Sequence, residues 1–270
     1  MTYIAPQTFR EWHPIGIIKS INKQKIQPFN IGNLPMILWF YNNSKPNPMI
    51  NICRHLGNNL NNGHVTNNCL VCPFHKQKYN QTDNFGSIIE SDGLYWWSYK
   101  SNHKKPLTLS LSLSLSSKPL YNYYIDINTD LITFILNFIS MNIENDNDKH
   151  QKYYYNKNKK QLLINRILFK YPYTIIVNNY RLSILPLSYS KLRIYVTTYN
   201  PMIMMITYVY MIYIKNLFEN QIKTNDLKKF FLFTRNDKNG YLEDIYKLFN
   251  DYMFLTDFTV NQFIINRNFY

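Results

Sequence analysis

Cys53-Arg-His55 and Cys72-Pro-Phe-His75, with sixteen residues between them, decide how this chain is read. The string Cys-x-His-x16-Cys-x2-His offers two thiolates and two imidazoles from two short loops. A [2Fe–2S] centre of mixed ligation needs that set. One iron takes both sulfurs and the other both nitrogens, so each loop supplies one ligand of each kind. Neutral imidazoles in place of thiolates raise the reduction potential, and such a centre passes one electron at a time. A second reading competes. Cys69-Leu-Val-Cys72 also has the Cys-x2-Cys spacing of structural zinc. That site would draw on five candidates, Cys53, His55, Cys69, Cys72 and His75, for four positions. The iron–sulfur spacing needs no such choice, and Cys69 is then expected as an inward-facing strand residue. Three cysteines cannot pair completely as disulfides.

Composition narrows the classes outward from these loops. The chain has 270 residues, room for two modest domains. Its net charge of +14 invites a nucleic-acid partner. Asn, Lys, Ile and Tyr are abundant throughout, however, as an AT-rich coding sequence would produce, so no nucleic-acid partner is expected. The densest basic run, Lys157-Asn-Lys-Lys160, reads as a solvated loop. A basic surface could still steer an acidic electron donor. No stretch reaches the ~20 apolar residues of a membrane span, so no span is expected. Met202–Ile214 comes nearest and is expected as a buried strand or helix, with membrane-surface contact as the alternative. The Met1 end shows neither a signal nor a transit pattern, and a cytoplasmic protein is the expectation.

Six of the seven glycines precede residue 94, which predicts an all-β first hundred residues rich in tight turns. Met36–Phe40, Met49–Ile52 and Leu94–Trp97 have strand length. Leu107–Ser116 alternates Leu with Ser or Thr and reads as a linker plus edge strand. Beyond it, Leu131–Met141 is expected as a helix of about three turns capped by Asp130. Strands are expected at Leu162–Phe169, Tyr173–Val177, Leu182–Leu187 and Lys191–Thr198, and a helix at Tyr241–Phe249. The fold class is therefore α+β: an all-β domain at 8–104, a linker or edge strand at 105–120, and an α+β domain at 121–270.

Residues 8–100 resemble the Rieske domain of ring-hydroxylating oxygenases and their monooxygenase relatives, vanillate O-demethylase and pheophorbide a oxygenase among them. Trp12-His-Pro-Ile-Gly16 is similar to the family's opening Trp-x-Pro-Val-Gly, and Met36–Phe40 to its second strand. Cys53-Arg-His-Leu-Gly57 with Leu60, Gly63 and Val65 resembles the first cluster loop. Cys72-Pro-Phe-His75 with Tyr79 resembles the second, and Ser91–Trp96 the closing strand. The family's Gly-Trp after the last ligand is replaced by Lys76-Gln77. The electron-transfer Rieske proteins of respiratory complexes resemble the chain less, because Asn58 stands where they carry an extra cysteine.

The resemblance implies a following helix-grip-like catalytic domain, here smaller than usual, with one ferrous ion bound by two His and a carboxylate. Glu144-Asn-Asp-Asn-Asp148-Lys-His150 is similar to the family's Glu-Asn-x-x-Asp-x-x-His-x4-His. Asp148 lies one residue too close to His150, and Tyr153–Tyr155 occupies the place of the second His. No histidine follows His150. Asp257 resembles the carboxylate ligand. Three readings of His150 stay open: a ligand with Asp257 in an unusual iron site, the remnant of a lost site, or a surface histidine. Asp148 resembles the family's bridging carboxylate between the cluster of one subunit and the iron of its neighbour, a role that implies a homotrimer. The implied activity is a monooxygenase, demethylase or desaturase acting with O2 on an apolar organic substrate. NAD(P)H would deliver electrons through a separate ferredoxin or reductase, since no dinucleotide-binding glycine motif is visible. The alternative is a non-catalytic electron carrier whose mononuclear iron site is lost.

Overall fold

The structure is a computed structural model. It describes residues 7–32, 34–42, 44–99, 105–106, 120–131, 133–135, 137–138, 153–156, 161–164, 167–170, 174–177, 179–188 and 190–224. The chain forms two compact units, one reaching to Pro106 and the other running Leu107–Met253. Leu107–Ser116, Lys157–Lys160, Asp148, His150, Tyr241–Phe249 and Asp257 lie outside the described residues.

Nine strands and two short 3-10 turns build the described part of the first unit, as its glycine-rich sequence predicts. They are β1 (His13–Ile17), β2 (Gln27–Ile31), β3 (Leu34–Tyr41), β4 (Lys45–Ile50), β5 (His64–Thr66), β6 (Cys69–Val71), β7 (Lys78–Tyr79), β8 (Ser87–Ser91) and β9 (Leu94–Ser98). They pair antiparallel as three three-stranded sheets, β1-β9-β8, β2-β3-β4 and β5-β6-β7. The apolar runs at Met36–Phe40 and Leu94–Trp97 are the buried centres of β3 and β9. Strand β4 stops at Ile50, earlier than the run to Ile52 suggests, because Asn51 turns its side chain back on the next loop. One core packs Ile37, Trp39, Met49, Leu60, Leu70 and Tyr79 around Cys53 and Cys72. The two candidate cysteines are thus core residues.

The second unit contains a seven-stranded antiparallel sheet. Its strands are β10 (Tyr121–Ile127), β11 (Tyr153–Asn156), β12 (Gln161–Ile164), β13 (Ile167–Lys170), β14 (Thr174–Val177), β15 (Tyr180–Ser188) and β16 (Lys191–Thr198), in the order β10-β16-β15-β14-β13-β12-β11. The single strand expected over Leu162–Phe169 is instead two, β12 and β13, paired as a hairpin. Tyr153–Tyr155 lies on β11, at the sheet's edge. Across β10 and β16, Arg193 meets Asp126 in register and grips it with two bonds, Nε–Oδ1 2.7 Å and Nη2–Oδ2 2.9 Å. Its guanidinium also lies 4.3 Å over the Tyr124 ring. The Asp126 bond, before any other cause, pushes the Arg193 pKa up.

Asp130 caps a helix as expected: its Oδ1 accepts from Thr133 N at 2.9 Å, and its carbonyl from Phe134 N at 3.0 Å. Leu131, Phe134, Ile135 and Phe138 are buried there.

The apolar stretch after β16 is a long helix, Pro201–Thr224. Asn200 starts it, its Oδ1 accepting from Met202 N at 2.9 Å, with Pro201 at the first helical position. Thr207, Met211, Ile214 and Phe218 recur at helical spacing and are buried, and the helix packs on β10 and β16. The expectation of a wholly buried element fails on the other side. Met202, Met205, Ile206, Val209 and Tyr213 form a stripe that stays exposed, with Val209 at 68%. The stretch also departs from the expectation of no span-like segment. Pro201–Asn220 is long and apolar enough, by length and composition, to cross a membrane.

Gly63 shows how tightly the small β5-β6-β7 sheet is built. A Cβ there would collide with the Val71 carbonyl oxygen and stand 3.0 Å from that of Leu60. Gly63→Ala should therefore lower the stability of the first unit by about 2 kcal/mol, an overpacking cost borne by backbone that cannot give way. Urea denaturation of the cluster-free chain, followed by tryptophan fluorescence, measures it.

Candidate metal centre

The two candidate loops leave the ends of strands in two different sheets. The first runs from β4 to β5 and the second joins β6 to β7. Each is closed by the same bond. Cys53 N–H donates to the carbonyl of Asn58 at 2.7 Å, and Cys72 N–H to that of Gln77 at 2.9 Å, in both cases five residues on. Each loop also turns through the left-handed region four residues after its cysteine, at Gly57 (φ 78°) and at Lys76 (φ 58°). Asn51 Oδ1 fixes the far end of the first loop, accepting from Leu60 N at 2.8 Å and Asn61 N at 2.9 Å.

This shared geometry sorts the four candidates into two pairs. Cys53 and Cys72 are 2% and 0% exposed. His55 and His75 are exposed, with ring centroids 4.9 Å apart and planes almost perpendicular. A sulfur pair faces the core and an imidazole pair faces solvent. Among the described residues, no three His, Cys, Asp or Glu side chains group around one point that a single ion could occupy. A tetrahedral zinc needs such a group. Two irons joined by sulfide need only a pair each, so the donors present fit a [2Fe–2S] cluster. Cys69, expected to face inward, is half-buried at the start of β6.

Cys53 is the better described of the two thiols. Burial raises its pKa, but hydrogen bonds from Tyr79, from the His55 and Leu56 backbone and from Cys72 together hold it below its ordinary value. The Tyr79 hydroxyl, buried at 0% exposure, donates to Cys53 Sγ at 3.1 Å and accepts from Arg54 N at 2.9 Å. Arg54 Nη1 pairs with Asp83 Oδ1 at 2.9 Å. Sequence reading noted Tyr79 as part of the pattern but assigned no role to Asn51, Arg54 or Asp83. Only the position of Arg54 between two candidate ligands marked it. Next to the two histidines in sequence stand two large apolar side chains, Leu56 at 64% and Phe74 at 61% exposed. Asp148, His150 and Asp257 fall outside the described residues, so no geometry joins them to this centre.

Lys76 sits in a backbone conformation that costs an L-residue roughly 1–2 kcal/mol and glycine little. Its Nζ recovers a part by donating to the Pro73 carbonyl at 3.1 Å, an exposed bond of small net value. Lys76→Gly should therefore stabilise the domain by about 0.5–1 kcal/mol after the extra freedom of glycine in the unfolded chain is subtracted. Thermal unfolding would show a midpoint raised by a few degrees, with unchanged cluster absorption.

The domain family described as Rieske [2Fe-2S] matches residues 11–93. The oxygenase component of 3-ketosteroid-9-alpha-monooxygenase from Rhodococcus rhodochrous is 26% identical over 70 residues, 26% of this chain and 18% of that protein. Another oxygenase component of the same description and organism is 29% identical over 76 residues, 28% of this chain and 19% of that one. The chain thus spans about a fifth of the length of these curated relatives. Among solved structures, NdmB of Pseudomonas putida CBB5 superposes with a TM-score of 0.58 at 13% identity, over 77% of this chain and 80% of that one. Dicamba monooxygenase with non-heme iron and dicamba gives 0.54 at 10% identity, over 72% and 77%. At these identities the likeness is one of fold, and it extends past residue 106 into the second unit. The chain carries a Rieske [2Fe–2S] domain over residues 11–93, and its relatives there are Rieske oxygenase components.

Proposed function

We propose that this chain is the oxygenase component of a Rieske non-haem iron system, a monooxygenase, demethylase or desaturase of an apolar organic substrate. Residues 8–104 would be the electron-accepting domain, 105–120 its linker, and 121–270 the catalytic domain. The observation that carries the reading is the second unit: a seven-stranded antiparallel sheet with a long helix laid on it, continuing the fold of the oxygenases past the Rieske domain.

Cys53 and Cys72 are assigned to one iron of the cluster, and His55 and His75 to the other. Their support is the buried sulfur pair beside the exposed imidazole pair. When bound, the cluster supplies one-electron transfer. The chain's own part is to seal the sulfurs from water, to hold a hydroxyl proton on Cys53, and to present both imidazole edges outward. Leu56 and Phe74 offer a ferredoxin or reductase an apolar seat beside those edges, and NAD(P)H would be the ultimate electron source. His150 and Asp257 are assigned to a mononuclear ferrous ion, which supplies O2 activation when bound. Asp148 is assigned to carry the link between cluster and iron in a homotrimer.

A second reading, a Rieske electron carrier without the mononuclear site, rests on two facts: no histidine follows His150, and Tyr153–Tyr155 stands on an edge strand where the second His is expected. Metal analysis separates the two. Purified anaerobically, the oxygenase should hold roughly three irons and two acid-labile sulfides per chain, and the carrier two of each. His150→Ala should then remove about one iron and leave the visible spectrum of the cluster intact. Iron unchanged by that substitution would take His150 out of the site, and zinc without sulfide would overturn both readings.

A further inference from the structure

We propose that Arg54, the residue between the two ligands of the first loop, sets the strength of the Tyr79–Cys53 hydrogen bond and through it the reduction potential of the cluster. The inference rests on the ligand assignment above, and it holds whether the chain is an oxygenase or a carrier.

Arg54 reaches Tyr79 in two ways. Its backbone N–H donates to the phenol oxygen at 2.9 Å, and its guanidinium carbon lies 4.9 Å from the centre of the Tyr79 ring. The guanidinium is held there. Nη1 pairs with Asp83 Oδ1 at 2.9 Å, while Asp83 Oδ2 accepts from Asn80 N at 2.8 Å and so anchors the carboxylate to the turn after β7. Tyr79 itself is buried and donates to Cys53 Sγ at 3.1 Å.

Each contact has a consequence for that last bond. A phenol has one proton and an oxygen that accepts. With the Arg54 N–H bonded to the oxygen, the proton is left for the sulfur. A cation over an aromatic face is drawn to its π-electrons. Electron density pulled towards the cation leaves the O–H a better donor. Hydrogen bonds to cluster sulfurs raise the potential, because they favour the form that carries the added electron. The direct field of the Arg54 charge is largely offset by Asp83, which leaves the path through the ring as the specific one. Arg54 is thus a positioning residue, acting on the sulfur through Tyr79.

The test is a spectroelectrochemical titration of the full chain, purified anaerobically with its cluster, alongside iron and sulfide content and visible circular dichroism. Arg54→Met should move the one-electron reduction equilibrium about tenfold towards the oxidised form, which is 59 mV for one electron. Tyr79→Phe should move it at least as far in the same direction. Adding Arg54→Met to Tyr79→Phe should then change little. Arg54→Lys keeps the charge and loses the planar fork, so it should recover less than half of the shift. An Arg54→Met equilibrium within twofold of wild type overturns the inference. So does an equal Arg54→Met shift in the Tyr79→Phe background, which would mean that charge acts through space alone. Should Arg54→Met fail to hold the cluster, Arg54→Lys decides: a shift of threefold or more supports the inference and no shift overturns it. A wild-type chain that binds no iron and sulfide overturns the ligand assignment and this inference with it. A loaded chain with an unmoved potential overturns this inference alone.

Discussion

A cysteine N–H bonded to the carbonyl five residues further along, once from Cys53 to Asn58 and once from Cys72 to Gln77, is the constraint on which the rest of this domain depends. Closing the loop in this way turns the cysteine inward and sends the following histidine outward at the bend. Because both loops do it, the two sulfurs meet in the core and the two imidazoles meet in water. The chemical asymmetry of the centre is therefore written in backbone hydrogen bonds before any metal is considered. The same closure demands a left-handed residue at the fourth position after each cysteine. Gly57 meets that demand at little cost. Lys76 meets it under strain, which shows that the loop geometry, rather than the residue type, is what the fold holds constant.

The supports around the loops each come from a different strand or turn. Asn51, just past β4, stands in for a strand partner by accepting two backbone N–H groups of the first loop. Tyr79, on β7, pairs with Leu70 of β6 and crosses to Cys53 of the other loop. Gly63 permits β5 to approach the Val71 carbonyl, immediately before Cys72. None of these contacts is large in energy. Together they remove freedom from the two loops. Hydrogen bonds from fixed donors are what orient ligands at a metal site.

How much of this was legible in the sequence depends on the range of the interaction. The two Cys/His loops stand out in the sequence because cysteine and histidine are two or three residues apart in each. Strands β3, β9 and β16 were readable because their apolar runs are unbroken. The hairpin of β12 and β13 was missed because Leu162–Phe169 reads as one apolar run around the short polar break Asn165-Arg166. The helix Pro201–Thr224 was recognisable as apolar, but no local pattern says which side a sheet will cover when nearly every side is apolar. The contacts of Arg54 with Tyr79 and Asp83 were beyond reach for another reason. Residues 25 and 29 apart in sequence meet across two separate sheets, which no local pattern announces. The mononuclear site is an expectation from resemblance alone, and Asp148, His150 and Asp257 lie outside the described residues.

Placing the cysteines in the core links stability to redox chemistry in a particular order. A buried thiol behaves as a small hydrophobe, and Cys53 and Cys72 pack with Ile37, Trp39, Met49, Leu60 and Leu70 as such residues do. Zinc fingers differ: their cores are too small to close without metal, so binding energy is folding energy. Here three sheets and a shared apolar core supply the closing force. Metal and sulfide would enter a scaffold whose loops are already shut by their own hydrogen bonds. Of the two buried thiols, Cys53 is the one to which Tyr79 already donates. The donor arranged to stabilise the charged sulfur therefore belongs to the fold itself, and the cluster inherits an environment that packing has set.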